Sequence, residues 1–257
     1  MSFMVDNAIN FNIEKPPHKQ FKVQYNKRNS VTIVKFTDIK NYIYVTELDC
    51  SGQNLESVDG IQYLINLKKL VCSHNKIKSI EEITGLKLLE YLDISNNDIV
   101  SIEPIKNLIN LRILNCSNNY IDSLFPIRYL GHIEYLYVHN NRIVELSSIK
   151  YLENLIVFNC LFNKIKSIKG IEYLKKIKEF NCSYNFIEKL DGISNLTSLE
   201  ILNCNYNFIN WLPDEIVKCF NLKKFQYNQN PIIFIKSDIQ KFLNLQKLTA
   251  IKKIETI

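Results

Sequence analysis

One pattern constrains this chain more than any other. From Val45 the same apolar register restarts at Leu67, Leu89, Leu111, Ile133, Leu155, Ile177 and Leu199, always 22 residues on, and the last two steps, to Leu222 and Leu245, are 23 residues long. A period of this size marks a stacked array in which each unit buries its apolar side against its neighbours and not within itself.

Position four of the unit holds Leu48, Leu70, Leu92, Leu114, Leu136, Phe158, Phe180, Leu202 and Phe225. Position eleven holds Leu55, Ile77, Ile99, Ile121, Ile143, Ile165, Ile187, Ile209 and Ile232. In the segment before the turn, positions four and six alternate with positions three and five, as in a half-buried strand with its even positions inward. Later apolar residues recur every third position, which suits short helical or 3-10 turns. Stacking such units predicts one parallel sheet on the inner curve and helical turns on the outer. Nine repeats are predicted over 45–244. An open stack needs covered ends, so residues 1–44 are predicted to form an amino-terminal cap with two strands around a polar turn at 26–30, and residues 245–257 a short carboxy-terminal cap.

Turn after turn meets L-x-x-L-x-L-x-x-N/C-x-L, which resembles the leucine-rich-repeat family. The 22-residue length and the I-x-x-I-x-x-I-x-x-L second half are similar to the short class found in a regulatory subunit of protein phosphatase 1 and in bacterial internalins. Residues 45–244 carry the resemblance; the eighth unit, "WLPDEIVKCFNL", departs by one residue and resembles a longer class. The resemblance implies an α/β solenoid, curved, with the parallel sheet concave and the 3-10 turns convex. It also implies a non-catalytic module that binds a partner protein. A phosphatase-regulatory role is the alternative, though likeness of fold does not carry function with it.

Six of the seven cysteines, Cys50, Cys72, Cys116, Cys160, Cys182 and Cys204, fall at position six, and Cys219 falls where the outer face expects leucine. They read as small core residues. Zinc would need thiolates and imidazoles converging, whereas His74 and His139 read as exposed positions in separate turns. An odd thiol count without an export signal disfavours disulfides, and the Asn-x-Ser/Thr triplets at Asn115, Asn181 and Asn195 should then stay bare. The position-nine residues Asn75, Asn97, Asn119, Asn141, Asn163, Asn185, Asn207 and Asn230 read as an inward ladder, because each amide offers both a donor and acceptor to backbone groups cut off from water.

Function is therefore sought at positions three, five, seven and eight, expected on the concave side. The candidate partner-binding residues are Tyr91, Ile113, Tyr135, Tyr137, Val157, Phe162, Tyr184, Ile201 and Tyr206, with Phe186 and Phe208 as a rim. An apolar band ringed by charge is the usual make-up of a protein interface. The bias toward Ile, Asn, Lys, Tyr and Phe also matches an AT-rich genome, which would scatter such residues anywhere. There is no glycine-rich phosphate loop, no G-x-S-x-G elbow and no cluster of His with carboxylates, so no catalytic residue, metal or cofactor is assigned and no small-molecule substrate is expected. The net charge of +6 is dispersed, and Lys164, Lys166, Lys169, Lys175, Lys176 and Lys178 read as a solvated face, which disfavours nucleic acid as a partner. With no apolar run long enough for a bilayer and no basic leader, a cytoplasmic, non-secreted protein is expected.

Overall fold

A computed structural model describes residues 21–22 and 44–246. Most of the segment assigned to the amino-terminal cap, including its polar turn at 26–30, and residues 247–257 of the carboxy-terminal cap lie outside the described residues.

Nine three-residue strands run parallel and in chain order: β2 (Glu47–Asp49), β3 (Lys69–Val71), β4 (Tyr91–Asp93), β5 (Ile113–Asn115), β6 (Tyr135–Tyr137), β7 (Val157–Asn159), β8 (Glu179–Asn181), β9 (Ile201–Asn203) and β10 (Lys224–Gln226). A two-residue strand, β1 (Phe21–Lys22), extends the sheet in parallel beside β2, with Phe21 opposite Leu48. Register follows the repeat: Leu48 opposes Leu70, Leu114 opposes Leu136, and Phe225 opposes Leu202. Like residues thus stack on like. The position-four side chains form a continuous buried column in which Phe158 and Phe180 lie face to face, ring centroids 5.5 Å apart.

Among the described residues, eight 3-10 turns between Ile61 and Lys218 form the opposite wall. Four of the first seven, at Glu81–Gly85, Glu103–Asn107, Phe125–Tyr129 and Ser147–Tyr151, have five residues, while Ile61–Tyr63, Ile171–Tyr173 and Ile193–Asn195 have three. The short ones each follow a left-handed glycine, Gly60, Gly170 or Gly192, which delays the turn's start. At Gly170 an added Cβ would meet the Leu146 carbonyl oxygen at 2.9 Å, so the position requires glycine for space as well as for φ. The eighth turn, Asp214–Lys218, follows Pro213. In the ninth unit an α-helix, α1 (Ser237–Leu245), takes the place of a 3-10 turn, packs on the eighth unit's turn and buries Ile239, Phe242 and Leu243. Their i, i+3, i+4 spacing gives one apolar helical face.

Between the walls, the asparagine ladder does what its position predicts. Asn97 Oδ1 accepts from the Ile77 amide at 3.0 Å, and its Nδ2 donates to the carbonyls of Cys72, Ile94 and Ser95 at 2.9 to 3.1 Å. The same set recurs at Asn119, Asn141, Asn163, Asn185 and Asn207. Each amide therefore ties two adjacent units and satisfies backbone groups that the core would leave without water. All seven cysteines are buried free thiols, as the core reading requires. No helix among the described residues is long and apolar enough to cross a membrane.

Candidate functional site

The expected apolar band divides into two strips that are built differently. The first is carried on the strands. Tyr91, Ile113, Tyr135, Val157 and Ile201 each open a strand and lie in one register, Tyr91 opposite Ile113, Ile113 opposite Tyr135 and Tyr135 opposite Val157, with Glu179 between Val157 and Ile201. Tyr137 ends β6. All six are half-buried, so the strip is a lined surface and not a row of free side chains. Burial, reinforced by the Asp93 and Asp49 carboxylates, raises the Tyr91 phenol above its ordinary range. Burial followed by the Glu179 carboxylate pushes Tyr137 up to about 12. Both phenols are therefore neutral hydrogen-bonding groups at any physiological pH. At the amino-terminal end of the strip the Lys69 ammonium lies 5.1 Å from the Tyr91 ring centroid.

Position seven, expected on the concave side, is closed off in four of the nine units. Ser73, Ser95, Ser117 and Ser183 are buried, and three of them turn back on position five. Ser95 gives both its amide and its hydroxyl to Asp93 Oδ1, at 2.9 and 2.6 Å, and Ser117 and Ser183 do the same to Asn115 and Asn181. His139, the residue at this position in β6's unit, was expected to be exposed. It is half-buried, its Nδ1 has no hydrogen-bond partner, and burial lowers its pKa despite the opposing field of Asp93. Among the described residues no group of His, Cys, Asp and Glu is arranged to hold a metal ion.

The second strip sits on the corners that follow the strands. Every position-eight residue has a left-handed backbone: Gly52, His74, Asn96, Asn118, Asn140, Phe162, Tyr184, Tyr206 and Gln229 all have φ between 53° and 66°. Glycine and asparagine tolerate this conformation, whereas a bulky side chain there is an outlier. The chain nevertheless places aromatics at three successive corners. Phe162 stacks on Tyr184 and Tyr184 on Tyr206, each pair with centroids 4.1 Å apart, and all three remain exposed. Two positions further on, Phe186 and Phe208 form a parallel, exposed pair at 5.9 Å. Position eight's left-handed geometry was legible at Gly52, Asn96, Asn118 and Asn140; the aromatics conceal it in the later units.

Two of the six clustered lysines have partners. Lys178 pairs with Glu200 at 3.8 Å, and Lys176 Nζ donates to Asn154 Oδ1 at 2.7 Å. Missed by the sequence reading is an exposed outer column of Tyr129, Tyr151 and Tyr173, with Arg128 and Lys150 over the first two rings. The chemistry available on both strips is recognition: neutral phenols, stacked rings and a charged border.

Two sequence profiles match, "Leucine rich repeat" over residues 44–99 and "Leucine Rich repeats (2 copies)" over residues 87–129. No curated protein is similar enough in sequence to count as a relative. Among solved structures, a leucine-rich-repeat protein of Leptospira interrogans is 29% identical with a TM-score of 0.74 over 82% of this chain, which spans 55% of that protein. Internalin C2 of Listeria monocytogenes is 25% identical with a TM-score of 0.58, over 64% of this chain and 82% of its own. The functional domain of InlJ from Listeria monocytogenes, which includes a cysteine ladder, shares the fold at 19% identity and a TM-score of 0.53, over 76% of this chain and 54% of its own. The profiles, the sheet and the asparagine ladder all fall in one register, and on that agreement the chain is a leucine-rich-repeat solenoid, with the repeats matched over residues 44–129.

Proposed function

We propose that the chain is a non-catalytic module that grips a partner protein through its two aromatic strips, with the Phe162–Tyr184–Tyr206 stack at the centre. Leucine-rich-repeat domains are generally protein-interaction modules and typically non-catalytic. The observation that carries the proposal is a conformational cost with no return inside the fold. A left-handed backbone costs a bulky residue about 1 to 2 kcal/mol, and each stacked pair contributes about 0.5 to 1.5 kcal/mol. Three such backbones against two stacks leave folding with no net gain. Strain held at exposed residues is a mark of function, and aromatic anchors dominate protein interfaces. A phosphatase is one partner class, supported by the likeness of the repeat class. The reading includes an intracellular setting, supported by seven free thiols.

The test replaces Phe162, Tyr184 and Tyr206 together by asparagine, the residue that Asn96, Asn118 and Asn140 supply at equivalent corners. Proteins recovered from the native source by the unaltered chain should be lost from this variant while its melting temperature holds. A Lys169→Glu, Lys175→Glu variant, altered on the outer side, should keep them. Undiminished recovery by the folded asparagine variant refutes the proposal.

A further inference from the structure

Where the eighth unit carries its extra residue, a cavity of about 270 Å³ opens between that unit's 3-10 turn and the start of α1. Trp211, Pro213 and Phe234 wall it, and both rings are more than half exposed. Its polar lining is acidic on a chain whose net charge is +6. Lys236, the only cation in the lining, is held by Asp214 at 2.6 Å. Asp191 and Glu215 remain, and among the described residues no ion pair engages either. The Trp211 ring already sits 5.5 Å from the Lys189 ammonium, so its surroundings accept a cation.

We propose that this recess receives an arginine side chain of the partner protein. The inference rests on the proposed function and adds the chemistry of one contact beside the 3-10 wall near the carboxy-terminal end of the stack. A guanidinium is flat, stacks on aromatic faces and donates in two directions at once, which matches two ring walls beside two carboxylates. An anion would meet uncompensated carboxylates. An apolar side chain would strip water from them without offering a hydrogen bond. An ammonium satisfies one carboxylate as a point charge and leaves the ring faces to its methylenes.

Trp211 is the chain's one tryptophan, so its fluorescence reports this recess alone. The full chain is titrated with tri-arginine amide, and in parallel with tri-lysine amide and tri-glutamate amide. Tri-arginine should give a saturable change, tri-lysine a weaker one, and tri-glutamate none. Asp191→Asn combined with Glu215→Gln should weaken the arginine response about tenfold or more, since two charge-assisted bonds are lost, with the melting temperature unchanged. The Phe162, Tyr184, Tyr206 asparagine variant should titrate as the unaltered chain does. No saturable response to tri-arginine, an equal response to tri-glutamate, or a response unaffected by neutralising Asp191 and Glu215 overturns the inference. The asparagine variant keeps the two readings apart: partner recovery by it refutes the aromatic surface and leaves the recess standing, whereas a failed titration beside lost recovery refutes the recess alone.

Discussion

Tyr184 stacks on Tyr206 with ring centroids 4.1 Å apart and planes 14° from parallel, while both backbones are left-handed at φ 54° and 53°. The favourable contact and the unfavourable backbone belong to the same residues. Partial desolvation and a hydrogen bond with Tyr206 raise the Tyr184 phenol above its ordinary range.

Tyr184→Gly separates these effects. The change removes two stacked contacts, about 0.5 to 1.5 kcal/mol each, and removes a left-handed penalty of about 1 to 2 kcal/mol. Stability by urea denaturation should therefore fall by no more than about 2 kcal/mol. Phe180→Ala, in the buried column against Phe158, should cost about 3 to 5 kcal/mol. Equal losses for the two would show that the exposed stack is a structural element after all.

Asn141 and its neighbour Asn140 make a second contrast. Asn141 accepts from the Ile121 amide at 2.9 Å and donates to the carbonyls of Cys116, Val138 and His139. Asn141→Ala leaves those buried groups unpaired and should cost about 1 to 3 kcal/mol. Asn140 is exposed, but its left-handed φ of 53° and its 2.8 Å bond to Asn118 mean that alanine there is not silent. Asn140→Gly, which accepts the backbone, should fall within about 0.5 kcal/mol of the unaltered chain. Calorimetry on the two proteins checks both values.

These cases show what kind of information the sequence carried. Columns repeated in every unit were readable, since Cys116 and Asn119 each have counterparts 22 residues away and a shared environment to explain them. Features that rest on side-chain hydrogen bonding or on the geometry of one unit were not. The buried turn of Ser95 onto Asp93 depends on a side-chain hydrogen bond that hydropathy does not encode. Helix α1 replaces a 3-10 turn through the spacing of Ile239, Phe242 and Leu243, which reads equally well as one more repeat. The recess brings together Asp191, Asp214 and Lys236 from three successive units, a juxtaposition that appears only once the eighth unit's extra residue is placed.

The thiols set an alkaline limit on stability. Burial pushes Cys116 up to about 12 and Cys219 to about 11, and it raises Cys160, Cys182 and Cys204 as well. For Cys72 a hydrogen bond with Cys50 is the first cause and burial the second. An unfolded thiol loses its proton near pH 8.5 while the folded one keeps it, so the unfolded state binds fewer protons and stability falls as pH rises. Each such thiol contributes about 1.4 kcal/mol of loss per pH unit above that point until its folded pKa is reached. Urea midpoints should fall steeply between pH 9 and 11, and Cys116→Ala should make the fall shallower. At pH 8 the native chain should react with a thiol reagent only after unfolding; rapid labelling of several cysteines in the native state contradicts the buried column.

His139 sets the matching limit in acid. Burial holds its imidazole below the ordinary histidine range, with the Asp93 carboxylate opposing in part, and its Nδ1 is buried without a partner. Below the unfolded value near 6.5 the denatured chain takes up a proton that the folded chain resists. The unfolded state then binds more protons, so this contribution to stability is present above pH 6.5 and is lost as pH falls toward the lowered folded value. His139→Ser installs the residue that Ser95 and Ser117 provide at equivalent positions, where each hydroxyl bonds to the position-five side chain. Tyr137 stands at position five in this unit, so the new serine gains no such partner and the variant isolates the titration from the hydrogen bond. Urea midpoints measured from pH 7.5 to 5 should decline less for His139→Ser than for the unaltered chain. Parallel declines would mean that His139 titrates as it does in the unfolded chain and that its ring is open to water.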